Sequence, residues 1–305
     1  MGEDQPSVVC WTSPPCQPPN ADQVEGEILK VAVAKEWTYA ENRYISGKVV
    51  ESYIDGAILT PVPLRLHEQD EWDPAEEFAP AWEAELRAAR RRKPSDSGVA
   101  RHPQRRELQD AKVEPAPHWV INTIRSGKRT AYEMEQILPY QVIPGGSPDD
   151  PDSDPIIYAV EHFHGGDTET AFNVLQRCLQ ADTRCVDAYV HLGNFRVADM
   201  KSTWWVRQGI KCYQAAVAVG ERALPSDFDG VLPWSMVDNR PFLRGLHGLG
   251  VCMWNLWDAA SARSVFQRLL RLNPDDNQGI RFLLDALDSG MSHLEYCRRE
   301  EERGW

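Results

Sequence analysis

The sequence predicts a mainly helical chain, a helical-repeat half preceded by a smaller mixed α/β part with a β-hairpin. Three observations predict it. Eighteen of the 22 prolines lie in residues 1–155, and only four follow. Proline in a helix interior removes a hydrogen bond and clashes with the preceding turn, so the C-terminal half is free to be nearly all helix. Two β-branched or aromatic runs, Tyr44–Ile54 and Ala57–Leu66, flank Asp55-Gly56 in the other half. Beyond residue 152, small and large apolar residues recur in units of about 34 residues, the mark of a stacked repeat.

Composition bounds the rest. A chain of 305 residues is long enough for two ordinary domains. Hydrophobic residues at 42% and charged residues at 26% match an average globular protein and exclude a fibre or a wholly disordered chain. No run of ~18 uncharged apolar residues exists, so no membrane span and no membrane partner are expected. The opening MGEDQPSVV is acidic and reads as no secretory signal. Seven scattered cysteines fit a reduced, cytoplasmic protein better than a disulfide framework. A net charge of −13 disfavours non-specific binding to nucleic acid or anionic lipid.

In chain order, residues 1–24 carry five prolines and little apolar periodicity, and read as a tail. Residues 25–142 read as a small α/β domain of unrecognised fold. Within it Leu29, Val31 and Val33 alternate, which fits a strand or a short helix. Asp55-Gly56 suits a two-residue turn with positive φ, so the runs on either side of it read as a hairpin. A helix is expected over Pro74–Lys93. Phe78, Trp82, Leu86 and Ala89 share a face, with acids in the first turn and arginines in the last. Residues Pro94–Pro117 read as a loop and Trp119–Leu138 as one or two helices. The Gly, Pro, Ser and Asp cluster Ile143–Pro155 reads as a linker.

The repeat is clearest from Leu243 to Pro274. Counting from Leu243, Leu246, Leu249 and Gly250 stand at places four, seven and eight, and Ala262, Phe266 and Leu269 at places 20, 24 and 27. Small residues at places eight and 20 let two antiparallel helices approach, large ones fill the seam, and Pro274 stops the second helix. From Val186, Tyr189, Leu192 and Gly193 take the same places, and Gly209, Tyr213 and Ala216 follow after a four-residue insertion. From Asp152, the places fall on Ala159, Ala171, Leu175 and Cys178. The pattern resembles the tetratricopeptide repeat, with units at 152–185, 186–223 and 243–276. Trp257 stands where the family usually has a turn glycine. Ile280, Leu283, Leu284 and Leu287 form one further apolar stripe, a capping helix that closes the repeat region at 290. Ser292 with Glu295 makes a capping box for a C-terminal helix in 291–305. The strings DNRPF and NPDDNQG resemble, more narrowly, the repeat region of the suppressor-of-tumorigenicity-seven family and related bacterial tetratricopeptide proteins, over roughly residues 152–290. That resemblance implies an interaction scaffold and carries no catalytic motif.

Chemistry-bearing patterns are weak elsewhere. Asp238 or Asn239 suits an N-cap with Pro241 in the first turn, and Arg240 ties the 224–240 insertion to the repeat. His162/His164, Cys10/Cys16 and Cys178/Cys185 lack the spacing that brings two ligands to one ion. Cys178, Cys212 and Cys252 lie on apolar helical faces. No nucleophile elbow, P-loop or dinucleotide fingerprint is present, so no catalytic residue, metal or cofactor is assigned. The segment Arg87–Lys112 holds nine Lys or Arg against Asp96, Glu107 and Asp110, a local charge of +6. It offers phosphate contacts through Arg90, Arg91, Arg92, Arg105 and Arg106, without the interleaved aromatics that stack bases.

In tetratricopeptide stacks the first helix of each unit lines a concave groove. The resemblance therefore implies a partner groove lined by Asp187, His191 and Asn194 from the second unit, and Arg244, His247, Trp254 and Asn255 from the third. Relatives that clamp a peptide carboxylate use Asn at place nine and basic residues at places two, five or six. Asn194 and Arg244 match this pattern, while Val190 stands where a Lys is expected. The leading expectation is a cytoplasmic protein–protein interaction scaffold or adaptor subunit, not an enzyme. Two alternatives stand beside it, a nucleic-acid-associated subunit using Arg87–Lys112 and an enzyme with its site in residues 25–140.

Overall fold

The computed structural model describes residues 9–10, 24, 27–39, 42–78, 123, 126–137, 140, 146–147, 149–150, 153–198, 200 and 202–303. Most of it is helix, with a small strand region towards the N-terminus. Contacts divide the chain into two compact units, residues 1–67 with 133–228 and 232–305, and residues 68–132 with 229–231.

In the first unit, β1 (Val9–Cys10), β2 (Glu27–Tyr39) and β3 (Asn42–Ile54) form a sheet in the order β1-β3-β2. The strand option for Leu29, Val31 and Val33 holds, because they lie in β2, antiparallel to β3 with Val31 opposite Val49. The register closes at Tyr39 opposite Asn42 and shifts at Lys30/Val31 and Val33/Lys35, where bulges bend the ribbon.

The hairpin expected across Asp55-Gly56 does not form. Asp55 instead caps the one-turn helix α1 (Gly56–Leu59), its carboxylate accepting from the Ala57 amide at 2.8 Å. The chain bends there because α1 seats on a long helix further along. Gly56 meets the Ala218 backbone, Leu59 is buried, and Arg222 donates to the Thr60 carbonyl at 3.0 Å. Local turn propensity yields to this packing. At the foot of the ribbon, Lys211 reaches the shielded Glu27 carboxylate at 2.7 Å.

The helical expectation over Trp119–Leu138 is corrected for 129–134, where β5 (Arg129–Met134) forms a two-stranded sheet with β4 (Leu66–Trp72). Thr123 and Ser126 are helical, and 119–122 and 124–125 lie outside the described residues. Strand β5 is paired along both edges, by β4 and by Val231. The Tyr132 amide donates to the Val231 carbonyl and the Val231 amide to Thr130, both at 2.9 Å, while Ala131 and Met134 are buried. Arg129 donates to the carbonyls of Asp229 and Gly230 at 2.8 and 2.6 Å. The expected helix Pro74–Lys93 is present as a turn over residues 74–78, started by Asp73, whose carboxylate accepts from the Ala75 amide at 2.8 Å. Its remainder lies outside the described residues.

From residue 155 the helices run α2 (Pro155–His164), α3 (Thr168–Ala181), α4 (Val186–Val197), α5 (Thr203–Ala223), α6 (Arg240–Asn255), α7 (Ala259–Leu272), α8 (Ile280–Asp288) and α9 (His293–Arg303). Asp154, Asp167, Ser202 and Asp258 start α2, α3, α5 and α7, each accepting a first-turn amide. Ser292 and Glu295 exchange both bonds of a capping box before α9. Successive helices pack pairwise, and α4 packs on both α2 and α6. Two glycines show how close they come. A Cβ on Gly250 would strike the Phe266 ring, and one on Gly193 the Tyr213 ring. The core of this part is Tyr189, Tyr213, Phe242, Phe266, Leu175, Leu243 and Leu269. Cys178, Cys185, Cys212 and Cys252 belong to it as buried thiols, and burial pushes Cys178 and Cys252 up to about 12.

Candidate functional site

Helix α4 presents Asp187, His191 and Asn194 at intervals of four and three residues, which places them on one face. Arg244, one turn into α6, reaches that face. Its guanidinium donates to Asp187 Oδ1 at 3.2 Å, and His191 Nε2 lies 3.6 Å from the same oxygen. Asp187 and His191 keep 15% of their side-chain surface and Arg244 38%, so the cluster is shielded but still reaches solvent. The Arg244 Nε–H is buried without a hydrogen-bond partner among the described residues. Asp154, at the start of α2, faces the same charges. Burial raises its carboxyl, the Asp187 carboxylate adds to that, and His191 opposes it. Burial likewise pushes His191 down, with Asp187 opposing.

Asn194 extends this face by another turn. It is exposed, and its Oδ1 accepts from the Tyr213 hydroxyl at 2.8 Å. Tyr213 is fixed in turn, because its ring fills the space beside Gly193 and Gly248. The α2 side of the same helix row is apolar. Phe163 stacks on Phe195 with centroids 4.0 Å apart and planes at 4°, and Ile157 is exposed.

The residues expected further along α6 are placed differently. His247 lies half-buried beside Gln278, with 3.4 Å between its Nδ1 and the amide nitrogen, and burial lowers its pKa. Trp254 is only 3% exposed. Its indole N–H donates to the Met291 carbonyl at 3.0 Å, and its ring lies 5.4 Å from both His293 and Tyr296. Asn255 Nδ2 is 3.2 Å from His293 Nδ1. Trp254 and Asn255 are therefore engaged by α9 and by Met291 before it. Asp187, His191, Asn194 and Arg244 come together, and His247, Trp254 and Asn255 are engaged by later elements.

Several residues that matter were not evident from the sequence. Asn239 does not cap α6 with its side chain. Fully buried, it accepts from the Met134 amide at 2.9 Å and donates to the Pro233 carbonyl at 3.1 Å. Asn273, equally shielded, accepts from the Trp234 amide at 3.3 Å. Arg240 does tie the insertion to the helices, donating to the Trp234 carbonyl at 2.9 Å with its guanidinium 5.4 Å from the indole centre. The polar strings around residues 239 and 273 thus hold backbone in place. Their one legible signal is polar residues wedged between apolar runs.

The basic segment Arg87–Lys112, with Arg90, Arg91, Arg92, Arg105 and Arg106, lies outside the described residues. Among the described residues, no group of three His, Cys, Asp or Glu side chains is arranged to hold a metal ion. No described helix is long and apolar enough to cross a membrane. The chain matches no family model, no curated protein and no solved structure.

Proposed function

We propose that residues 153–290 form a tetratricopeptide-like stack and that the chain is a protein–protein interaction scaffold, binding a partner through the shared face of α4 and α6. Three features support the stack. The helices come as consecutive packed pairs, α4 packs on both α2 and α6, and the small residues at place eight, Gly193 and Gly250, sit against the rings of Tyr213 and Phe266. The reading places the chain in the cytoplasm, where the free thiols of Cys178, Cys185, Cys212, Cys252 and Cys297 stay reduced.

One observation carries the functional reading. Asp187, His191 and Asn194 of α4 share a partly open surface with Arg244 of α6, and the Arg244 Nε–H finds no acceptor among the described residues. A buried polar group left unpaired is uncommon in a structure with no use for it. A partner segment laid along this face meets a carboxylate acceptor, a guanidinium and an exposed amide within three helical turns. Arginine supplies strong, directional bonds at such surfaces and is enriched among binding hot spots.

The test is affinity purification of the full chain from its native cell, with Arg244→Ala and Asn194→Ala alongside. Arg244→Ala should weaken partner recovery ten- to a hundredfold, about 1–3 kcal/mol, while the variant still melts cooperatively. Recovery of the same chains at wild-type yield by both variants would sink the reading and move the interface elsewhere.

A further inference from the structure

Helix α9 sits on the inward-facing row of α6, and little holds it there. None of its residues is buried, and Leu294, its aliphatic residue, is 57% exposed. Its sequence, HLEYCRREEER, is dominated by charge, and its ion pair Arg303–Glu300 lies within the helix. What joins it to α6 is local. The Met291 carbonyl accepts the Trp254 indole N–H, the rings of His293 and Tyr296 flank that indole, and His293 faces Asn255.

The asymmetry between the two sides is informative. On the α6 side lies a large aromatic residue that is almost wholly covered, with a polar N–H and an amide beside it. On the other side lies a short polar helix with no core of its own. Elements with few buried apolar contacts open at a small fraction of the global unfolding free energy. Tryptophan with a hydrogen-bonded indole is also a frequent anchor of protein interfaces.

We propose that α9 is a displaceable occupant of the α6 face, and that the surface beneath it takes a short helix of a partner protein. That helix, with the residues leading into it, presents what α9 and the Met291 carbonyl before it present: an aromatic ring for Trp254, a free backbone carbonyl for its indole N–H, and an acceptor for Asn255. The inference rests on the reading above that this helix row binds a partner, and it assigns the regulation of that row. With α9 seated, the row ends at Asp187, Asn194 and Arg244. With α9 displaced, it continues onto Trp254 and Asn255. A tethered segment competes at an effective concentration in the millimolar range, so an identical helix in trans binds more weakly until the tethered contacts are weakened. A natural partner helix outcompetes α9 through added contacts on the α4–α6 row.

This defines the experiment. A labelled peptide of residues 290–305 is titrated into the full chain carrying His293→Ala and Tyr296→Ala, and anisotropy is followed. Saturable binding to this variant is expected, at least tenfold weaker binding to the wild-type chain, and loss of binding when Asn255→Ala or Trp254→Ala is added. Asn255→Ala serves if the tryptophan variant fails to fold. No saturable binding to the doubly substituted chain would overturn the proposal. Hydrogen exchange on the wild-type chain gives a partner-free check. Amides of α9 should exchange at least a hundredfold faster than those of residues 243–255. Equal protection makes α9 a permanent cap and overturns the displacement. Neither measurement involves Asn194 or Arg244, so failure here leaves the α4–α6 reading to its own test.

Discussion

Asn239 shows how much one buried amide can hold. Its side chain has no solvent exposure, and both its acceptor and its donor are used, towards Met134 and Pro233. These partners lie 105 and six residues away in the chain, so the amide fastens the end of β5 and the 224–240 insertion at one point. Asn239→Ala leaves a buried amide N–H and a buried carbonyl unpaired, each worth roughly 1–3 kcal/mol. The expected loss is about 3 kcal/mol, read as a lower urea midpoint at unchanged slope. Asn239→Asp retains the acceptor but loses the donor, and should recover only part of it. A cost below about 0.5 kcal/mol for the alanine variant would mean that the side chain acts through neither bond.

At the scale of elements, the turn between α6 and α7 carries a conformational cost. Trp257 adopts φ 68, the left-handed region, and is 78% exposed, so its ring returns little packing for that geometry. Trp257→Gly should stabilise the chain by about 0.5–1 kcal/mol, since glycine reaches this region without penalty but loses more unfolded-state entropy. In a unit of this size that is a melting point higher by about 1–4 °C. A lower melting point would instead identify a contact made by the indole. The position was legible beforehand, as a tryptophan where the repeat pattern has glycine. So were α2 to α8, because apolar spacing near 3.6 residues, acidic or hydroxyl caps and terminating prolines all agree there. The strands were less legible. Asp55-Gly56 carries a genuine turn signal, but α1 finds a seat on α5 that no local rule contains. β5 was hidden for the same reason, since its second edge partner, Val231, lies 100 residues away. The candidate site divides on similar lines. The resemblance implied one groove for Asp187, His191 and Asn194, and their intervals of four and three residues agree with one face of α4, whereas the cover over Trp254 depends on where α9 lands.

Across the whole molecule, acid sensitivity follows from three shielded imidazoles. Burial lowers the pKa of His191, His247 and His293 below the ordinary 6.5. A histidine held neutral in the fold takes up its proton later than in the unfolded chain as pH falls. Its stabilising contribution is therefore complete above the unfolded value and is lost progressively below about 6.5. Asp154 has the opposite sign, because burial raises its carboxyl and favours the protonated fold. The net charge of −13 also shrinks towards the isoelectric point near 5.1, which relieves self-repulsion. A bare pH profile mixes all three effects, so the prediction concerns a difference. His247 packs beside Gln278, and among the described charged groups Asp276 favours its protonation. His247→Gln keeps a polar group of similar size there and removes the titration. Urea unfolding of both chains is measured at pH 7.5, 6.5 and 5.5. Relative to the variant, the wild-type chain should lose stability between pH 6.5 and 5.5 and hold it between 7.5 and 6.5. A difference that stays constant over all three pH values would show that His247 protonates as readily in the fold as in the unfolded chain.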